Sequence, residues 1–193
     1  MVSLFAYAHA PYAALMEGLR RLNRRVVLVA TQGVVTEALR NMPNISDGIE
    51  LRMLPFLPQT QYDELLWACD INFVRGEDSF ARAQWSGIPF VWHIYSQDEA
   101  IHLAKLDAFV QCFGAHGNES AMQSLRALWR AWNGAHPLTR EQGATDADGL
   151  AQALHAFCAT LPHQREAAVR WARHLAALGD LAGNLVQFVK KTI

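Results

Sequence analysis

The stretch Arg75-Gly76-Glu77-Asp78-Ser79-Phe80-Ala81-Arg82-Ala83-Gln84-Trp85 decides how the rest of the chain reads. The apolar run Ile71-Asn72-Phe73-Val74 precedes it. Phe80, Ala83 and Trp85 give it an apolar, helix-like face, and Gly87-Ile88-Pro89 closes it ahead of a second apolar run, Phe90 to Tyr95. This spells strand, tight turn, helix, turn, strand. In an open parallel sheet, ligands bind at the carboxyl ends of the strands. The leading N–H groups of a helix favour an anion there. Arg75 stands at that mouth with a planar fork suited to phosphate oxygens. The stretch therefore reads as a phosphate-binding turn. Glu77-Asp78 has two readings at this point. Acids in a first helical turn match the macrodipole; alternatively, one of them holds a cation or a sugar hydroxyl beside the phosphates.

Working outward, strands and helices alternate. Val2 to Ala8, Val26 to Ala30 and Ile49 to Leu54 are short apolar or β-branched runs of the kind buried in parallel sheets. Helical spacing covers Tyr12 to Leu22, entered through Pro11, and Val34 to Arg40, with Thr31 as its expected cap. Asn41 to Gly48 is turn-rich. Pro55 to Thr60 is a stiff loop carrying an aromatic, Phe56. Thr60 is expected to cap a helix reaching Cys69, with Asp63 placed as in a capping box. After Tyr95 the chain reads as all helix: Gln97 to Phe113, Ser120 to Trp132, Asp148 to Thr160, Arg165 to Leu178, and Leu181 to Lys190. Gly134 to Asp146 is the clearest loop. The alternation predicts an α/β fold, a Rossmann-like parallel sheet with flanking helices and a helical C-terminal tail. Residues 1–193 are expected to form one domain, with the Rossmann-like core over about 1–115 and the helical remainder over about 116–193. Right-handed crossovers bring Tyr7 to His9, Pro55 to Gln59, Arg75 to Ser79, and Tyr95 to one edge of the sheet. Neither a Walker loop nor a GxGxxG fingerprint occurs.

Composition narrows the classes. About half of the 193 residues are apolar (51%), enough for a large core and against disorder. The formal net charge is −1 and no basic block occurs, which argues against nucleic acid as a main partner. The three cysteines, at 69, 112 and 158, lack metal or CxxC spacing and read as buried thiols in a reducing cytoplasm. No leader pattern and no apolar run of about 18–20 residues occurs, so neither a signal peptide nor a membrane span is expected.

Arg75-Gly-Glu-Asp-Ser-Phe-Ala-Arg-Ala-Gln-Trp-Ser-Gly-Ile-Pro-Phe-Val-Trp-His-Ile-Tyr95 resembles the signature of the elongation factor P arginine rhamnosyltransferases, the EarP family. Phe5-Ala-Tyr7, Leu54-Pro-Phe-Leu-Pro-Gln59 and Leu178-Gly-Asp-Leu-Ala-Gly-Asn-Leu185 are similar to the same family in the same order. The resemblance covers essentially the whole chain but only the C-terminal half of the family's protein. It implies the donor-binding domain of a GT-B glycosyltransferase, an inverting enzyme that moves rhamnose from TDP-β-L-rhamnose to one arginine of elongation factor P in the cytoplasm. By the family's pattern, Phe56 stacks on thymine and Gln59 bonds its edge. Arg75, Asp78, Ser79 and Tyr95 meet the diphosphate, Phe5 and Tyr7 line the pocket, and Glu77 acts near the reacting centre. No metal-ligand cluster occurs in the sequence, so no metal is expected, and no cofactor beyond the donor. The family's N-terminal acceptor domain, with its aspartates, is not in this sequence, and Ser96 stands where the family usually has proline. On this reading the chain supplies the donor half and is inactive alone. The alternative is a TDP-sugar-binding module without chemistry, or the remnant of a truncated enzyme.

Plainer readings stand beside these roles. Arg75 could be spent on a salt bridge to Glu77 or Asp78. Ser79 could be only a local backbone capper. Asp78 would meet phosphate through its N–H, since its carboxylate repels it. His93 reads as a core histidine, and Trp129, Trp132 and Trp171 as core.

Overall fold

The computed structural model describes residues 1–42, 48–97, 101–134 and 146–192. Five strands, β1 (Val2–Leu4), β2 (Val26–Thr31), β3 (Ile49–Leu54), β4 (Ile71–Arg75) and β5 (Phe90–His93), form one all-parallel sheet in the order β3-β2-β1-β4-β5. Between them run α1 (Tyr12–Arg21), α2 (Val34–Arg40), α3 (Gln59–Ala68) and α4 (Asp78–Ser86). The rest is helical: α5 (Ile101–Gly114), α6 (Glu119–Trp132), α7 (Asp146–Ala159), α8 (Leu161–Ala177) and α9 (Leu181–Thr192).

The chain builds outward from β1 through β2 to β3, then returns to β4 on the other side of β1. That reversal makes the gap between the carboxyl ends of β1 and β4 the switch point, where an open sheet leaves a crevice. Leu4 pairs with Phe73, so residues just beyond Leu4 face residues just beyond Phe73. The two central strands are locked by polar bonds as well as packing. Ser3 Oγ donates to Asn72 Oδ1 at 2.5 Å, and Asn72 Nδ2 donates to the Leu66 carbonyl of α3 at 2.9 Å. All three residues are buried, and a satisfied buried network fixes register where an apolar pair would not.

Helices α5 to α8 pack back on the sheet half. Trp129 and Trp132 of α6 are buried against Phe90 and Phe73, and the Trp129 indole donates to the Phe90 carbonyl at 2.9 Å. Asn133 ends α6 and ties down the chain after β5. It accepts from Ile94 N at 3.0 Å and donates to the Trp92 carbonyl at 2.7 Å. Trp171 of α8 is buried too, so the three tryptophans are core as expected. By contrast α9 leaves Leu181, Leu185 and Val186 exposed.

Several local expectations need correction. β1 stops at Leu4 rather than running on to Ala8, although Phe5 N still donates to the Phe73 carbonyl at 2.9 Å. Thr31 is the last residue of β2, and α2 is opened instead by Gly33 with Thr36. The Thr36 hydroxyl accepts from Gly33 N at 3.2 Å and donates to the Gly33 carbonyl at 2.7 Å. α3 begins one residue before Thr60 and has no side-chain cap. Asp63, freed from capping, binds Arg82 of α4 at 2.8 and 3.0 Å. α6 is capped by Asn118, which accepts from Ala121 N at 2.8 Å, rather than starting at Ser120. β5 ends at His93, which leaves Tyr95 in the following loop. Residues 98–100, within the helix expected from Gln97, and most of the loop expected over Gly134 to Asp146 lie outside the described residues. All three cysteines are free thiols. Cys69 and Cys158 are buried, but Cys112 is exposed on α5, contrary to expectation.

Candidate functional site

Gly76 sets the geometry of the turn between β4 and α4. Its φ of +61° is left-handed, and a Cβ there would come within 3.0 Å of the Tyr7 hydroxyl, so both backbone and space call for glycine. Its amide donates to the His93 carbonyl at 3.2 Å, and its carbonyl accepts from the Trp92 indole at 2.8 Å. The turn is thus sewn to β5 from both sides. Glu77 follows as the N-cap residue, with Asp78 and Ser79 opening α4, whose leading N–H groups lack helical acceptors.

Arg75 lies above this turn on an aromatic bed. Its guanidinium carbon is 4.3 Å from the centre of the Phe5 ring and 5.0 Å from that of Tyr7, and Nη1 donates to the Ala6 carbonyl at 3.3 Å. Cation–π contact holds the plane of the fork without neutralising it. Neither acid of the turn pairs with it. Asp78 pairs with Arg82, at 3.2 Å, and Arg82 is shared with Asp63. Among the described residues, neither Arg75 nor the exposed Glu77 side chain has an ion-pair partner. The salt-bridge reading of Arg75 is thereby set aside.

Ser79 is buried, and its hydroxyl is occupied: Oγ accepts from Arg75 N at 3.0 Å and donates to the Arg75 carbonyl at 2.6 Å. In this state it is the local capper, and only its backbone N–H faces the helix mouth unspent. Tyr7 and Tyr95 meet edge to face at 5.9 Å. Tyr95 is 62% exposed, so its ring and hydroxyl are open to a ligand. The Tyr7 carbonyl accepts from the Tyr12 hydroxyl at 2.8 Å, which fixes the β1–α1 turn. Burial pushes the Tyr12 phenol up to about 12, against the pull of Arg75, and it also raises that of Tyr7.

Phe56 exposes 80% of its surface, and among the described residues no ring stacks on it. Gln59 opens α3 and is exposed. Both lie on the same sheet edge as Arg75 but outside its aromatic cluster. A cleft of about 400 Å³, lined by Gln32, Gly33, Thr36, Met53, Leu54 and Pro55 among others, opens beside this loop. It lies at the ends of β2 and β3 and does not include the Arg75 turn. The structure therefore groups Phe5, Tyr7, Arg75, Ser79 and Tyr95, with Glu77 and Asp78 on the rim, and keeps Phe56 and Gln59 apart.

His93 is buried, as expected for a core histidine. Its Nδ1 accepts from Tyr7 N at 3.3 Å, which requires the neutral ring. Burial, then the neighbouring His9, Arg75 and His102, pull its pKa down to about 3. Sequence reasoning placed His9 on this edge without a role and missed Tyr62 altogether. His9 lies nearly parallel to Tyr7 at 5.7 Å and across His93 at 5.0 Å. Tyr62 of α3 sets its ring edge against Phe5 at 6.0 Å. The signal for Tyr62 was available in part, since it stands one helical turn after the Pro58–Gln59 entry; its meeting with Phe5 was not.

An open parallel sheet in the order 3-2-1-4-5, with its side-chain cluster at the β1/β4 switch point, defines a Rossmann-like α/β protein. A protein-arginine rhamnosyltransferase of Pseudomonas aeruginosa is 39% identical over 97% of this chain and 50% of its own length. That of Pseudomonas putida is 36% identical over the whole chain and 51% of its own length. A solved structure, described as the structural basis for EarP-mediated arginine glycosylation of translation elongation factor EF-P, matches with a TM-score of 0.77 and 32% identity. It covers all of this chain and 60% of that one. The family model of the elongation factor P rhamnosyltransferase EarP matches residues 1–190, and the chain belongs to this family. It spans about half the length of the curated relatives it matches.

Proposed function

We propose that this chain is the donor-binding half of a GT-B arginine rhamnosyltransferase, folded as a single nucleotide-sugar-binding domain, with TDP-β-L-rhamnose as donor and elongation factor P as acceptor. The observation that carries the reading is Arg75: a cation without an acid partner among the described residues, held over the Phe5 ring at the switch point beside a helix mouth. On this reading Arg75, the N–H groups of Asp78 and Ser79, and the Tyr95 hydroxyl take the diphosphate. Tyr7 and Phe5 wall the site. Phe56 offers its exposed face to thymine, and stacking of this kind contributes about 1–3 kcal/mol per base. Gln59 reads the base edge.

The reaction breaks the bond from the sugar anomeric carbon to the β-phosphate oxygen and forms one from that carbon to an arginine nitrogen. The acceptor guanidinium must lose a proton, because the charged form is a poor nucleophile. Glu77, exposed at the turn and unpaired among the described residues, is placed to orient the guanidinium or the transferring sugar. The proton goes to a carboxylate of the family's other half. TDP leaves against Arg75 and the helix mouth, where preorganised donors stabilise the charge that develops. No metal is invoked. Among the described residues no helix is long and apolar enough to cross a membrane.

Calorimetry of TDP-rhamnose against this chain, with UDP-glucose as control, tests the donor assignment. Saturable binding of the first and none of the second is expected, and equal or absent binding refutes it. A donor-binding module without chemistry is the second reading. Mixing the chain with the other half of a relative and with elongation factor P separates the two, since only the enzyme reading yields modified arginine.

A further inference from the structure

The turn that carries Arg75 also carries two acids, and the structure treats them differently. Asp78 is the first residue of α4, and its Oδ2 accepts from Arg82 Nε, one helical turn on, at 3.2 Å. Arg82 is itself fixed from α3, because Nη1 donates to both oxygens of Asp63 at 2.8 and 3.0 Å. Glu77 has no ion-pair partner among the described residues. The Asp78 side chain is 73% exposed, and an ion pair with one partner this open adds little to stability. Its local electrical effect is larger. An aspartate carboxylate hangs only a few bonds from its own amide, and the Cβ of a helical residue leans toward the helix N-terminus. Left alone, the Asp78 carboxylate would stand at the mouth of α4, where the leading N–H groups and Arg75 favour an anion. Like charges at that range repel. Arg82 ties the carboxylate to the flank of the helix and sets a positive charge against it, which Arg75, held over the Phe5 ring, does not do.

Resting on the donor-site reading above, we propose that Arg82 is a positioning residue for the diphosphate: it acts through Asp78, holding that carboxylate against α4 so that the first N–H groups of the helix meet phosphate without a bare negative charge beside them. Asp63 aims the cation. Its bonds occupy Nη1 and leave Nε for Asp78. The charge of the cluster is thereby spread between α3 and α4 instead of standing at the mouth. The turn keeps one acid, Glu77, free for chemistry and holds the other in check. No bond is made or broken and no proton moves.

Calorimetric titration of thymidine diphosphate tests this, with Arg82→Gln made in wild type, in Asp78→Asn and in Asp63→Asn. In wild type the change removes the charge but keeps a hydrogen-bonding side chain, and affinity falls about 10-fold, the size of one partly screened charge contact. The loss shrinks as salt rises. In the Asp78→Asn background the same change moves affinity by less than about 3-fold, because the carboxylate it restrained is gone. In the Asp63→Asn background it still weakens binding about 10-fold. The last arm separates position from charge count. R82Q/D78N and R82Q/D63N carry the same net charge and both lack the bridge from α3 to α4, yet only the second leaves a bare carboxylate at the mouth. Thermal melts should place these two double variants close together while their affinities differ. Unchanged affinity in R82Q, or affinities that follow the melting temperatures, overturns the proposal. So does an equal loss in all three backgrounds, which would mean that Arg82 meets phosphate itself or only ties the helices. The control is R75A. If it binds like wild type, or wild type does not bind, the diphosphate does not use this turn and the donor-site reading falls as well; if R75A loses binding and R82Q does not, only the role of Arg82 falls.

Discussion

The guanidinium of Arg75 and the ring of Phe5 lie 4.3 Å apart although 69 residues separate them in the chain, because β1 and β4 are neighbours in the sheet. The ring fixes the plane of a cation that no carboxylate of the described residues restrains. Phe5→Leu keeps an apolar side chain but loses the π face. A cation–π contact of this kind is worth about 0.5–2 kcal/mol, so TDP-rhamnose binding should weaken by up to about 30-fold, with a small fall in melting temperature because the contact is already made in the free chain. Calorimetry and a thermal melt check it, and unchanged affinity removes Phe5 from the site.

Arg75→Ala should weaken TDP-rhamnose binding more than Gln59→Ala. A charge-assisted contact is worth about 1.5–3 kcal/mol and a neutral one about 0.5–1.5 kcal/mol. The deficit at Arg75 should shrink as salt rises, since screening weakens the wild-type contact first. Titrations at two salt concentrations decide it: equal, salt-independent losses would mean that Arg75 does not meet phosphate.

Glu77 carries a negative charge beside a site meant for anions, so it opposes donor binding slightly. Glu77→Gln should therefore bind TDP-rhamnose as well as wild type, or somewhat better. In an enzyme reconstituted with the family's other half, kcat should fall on the order of 100-fold with KM nearly unchanged, the pattern of a group that acts in the transition state. Loss of donor binding with intact circular dichroism would instead make Glu77 a structural part of the turn.

His93 makes the fold sensitive to acid. In the native chain the ring stays neutral down to about pH 3, held by burial and by its bond from Tyr7 N. In the unfolded chain an imidazole takes its proton near pH 6.5. Between these values the unfolded state binds the extra proton, so stability falls as pH falls, by up to about 1.4 kcal/mol per pH unit from this group. Denaturant melts of wild type and His93→Gln at pH 7, 6, 5 and 4 should show the wild type losing ground faster, whereas parallel curves would refute the assignment.

By itself the sequence determined what depends on near neighbours. The run from Ile71 to Tyr95 spelled strand, turn, helix and strand, because alternation of β-branched runs with helical spacing is local. It marked Arg75 and the glycine turn at a strand end, and its length of unbroken match carried the family. It could not place the ends of elements whose limits depend on remote partners. β1 ends at Leu4 while the side chains of Phe5 and Tyr7 go to Arg75, and Asp63 leaves its expected capping role for Arg82 on the next helix. Nor could it show which acid neutralises which cation. Only the tertiary structure shared Arg82 between Asp78 and Asp63, left Arg75 to the aromatic rings and gave the Ser79 hydroxyl to the Arg75 backbone. The contact of Arg75 with Phe5 joins residues far apart in the chain and is fixed by β1 lying beside β4, so no local pattern encodes it, whereas the Asp78–Arg82 and Ser79–Arg75 bonds span only four residues.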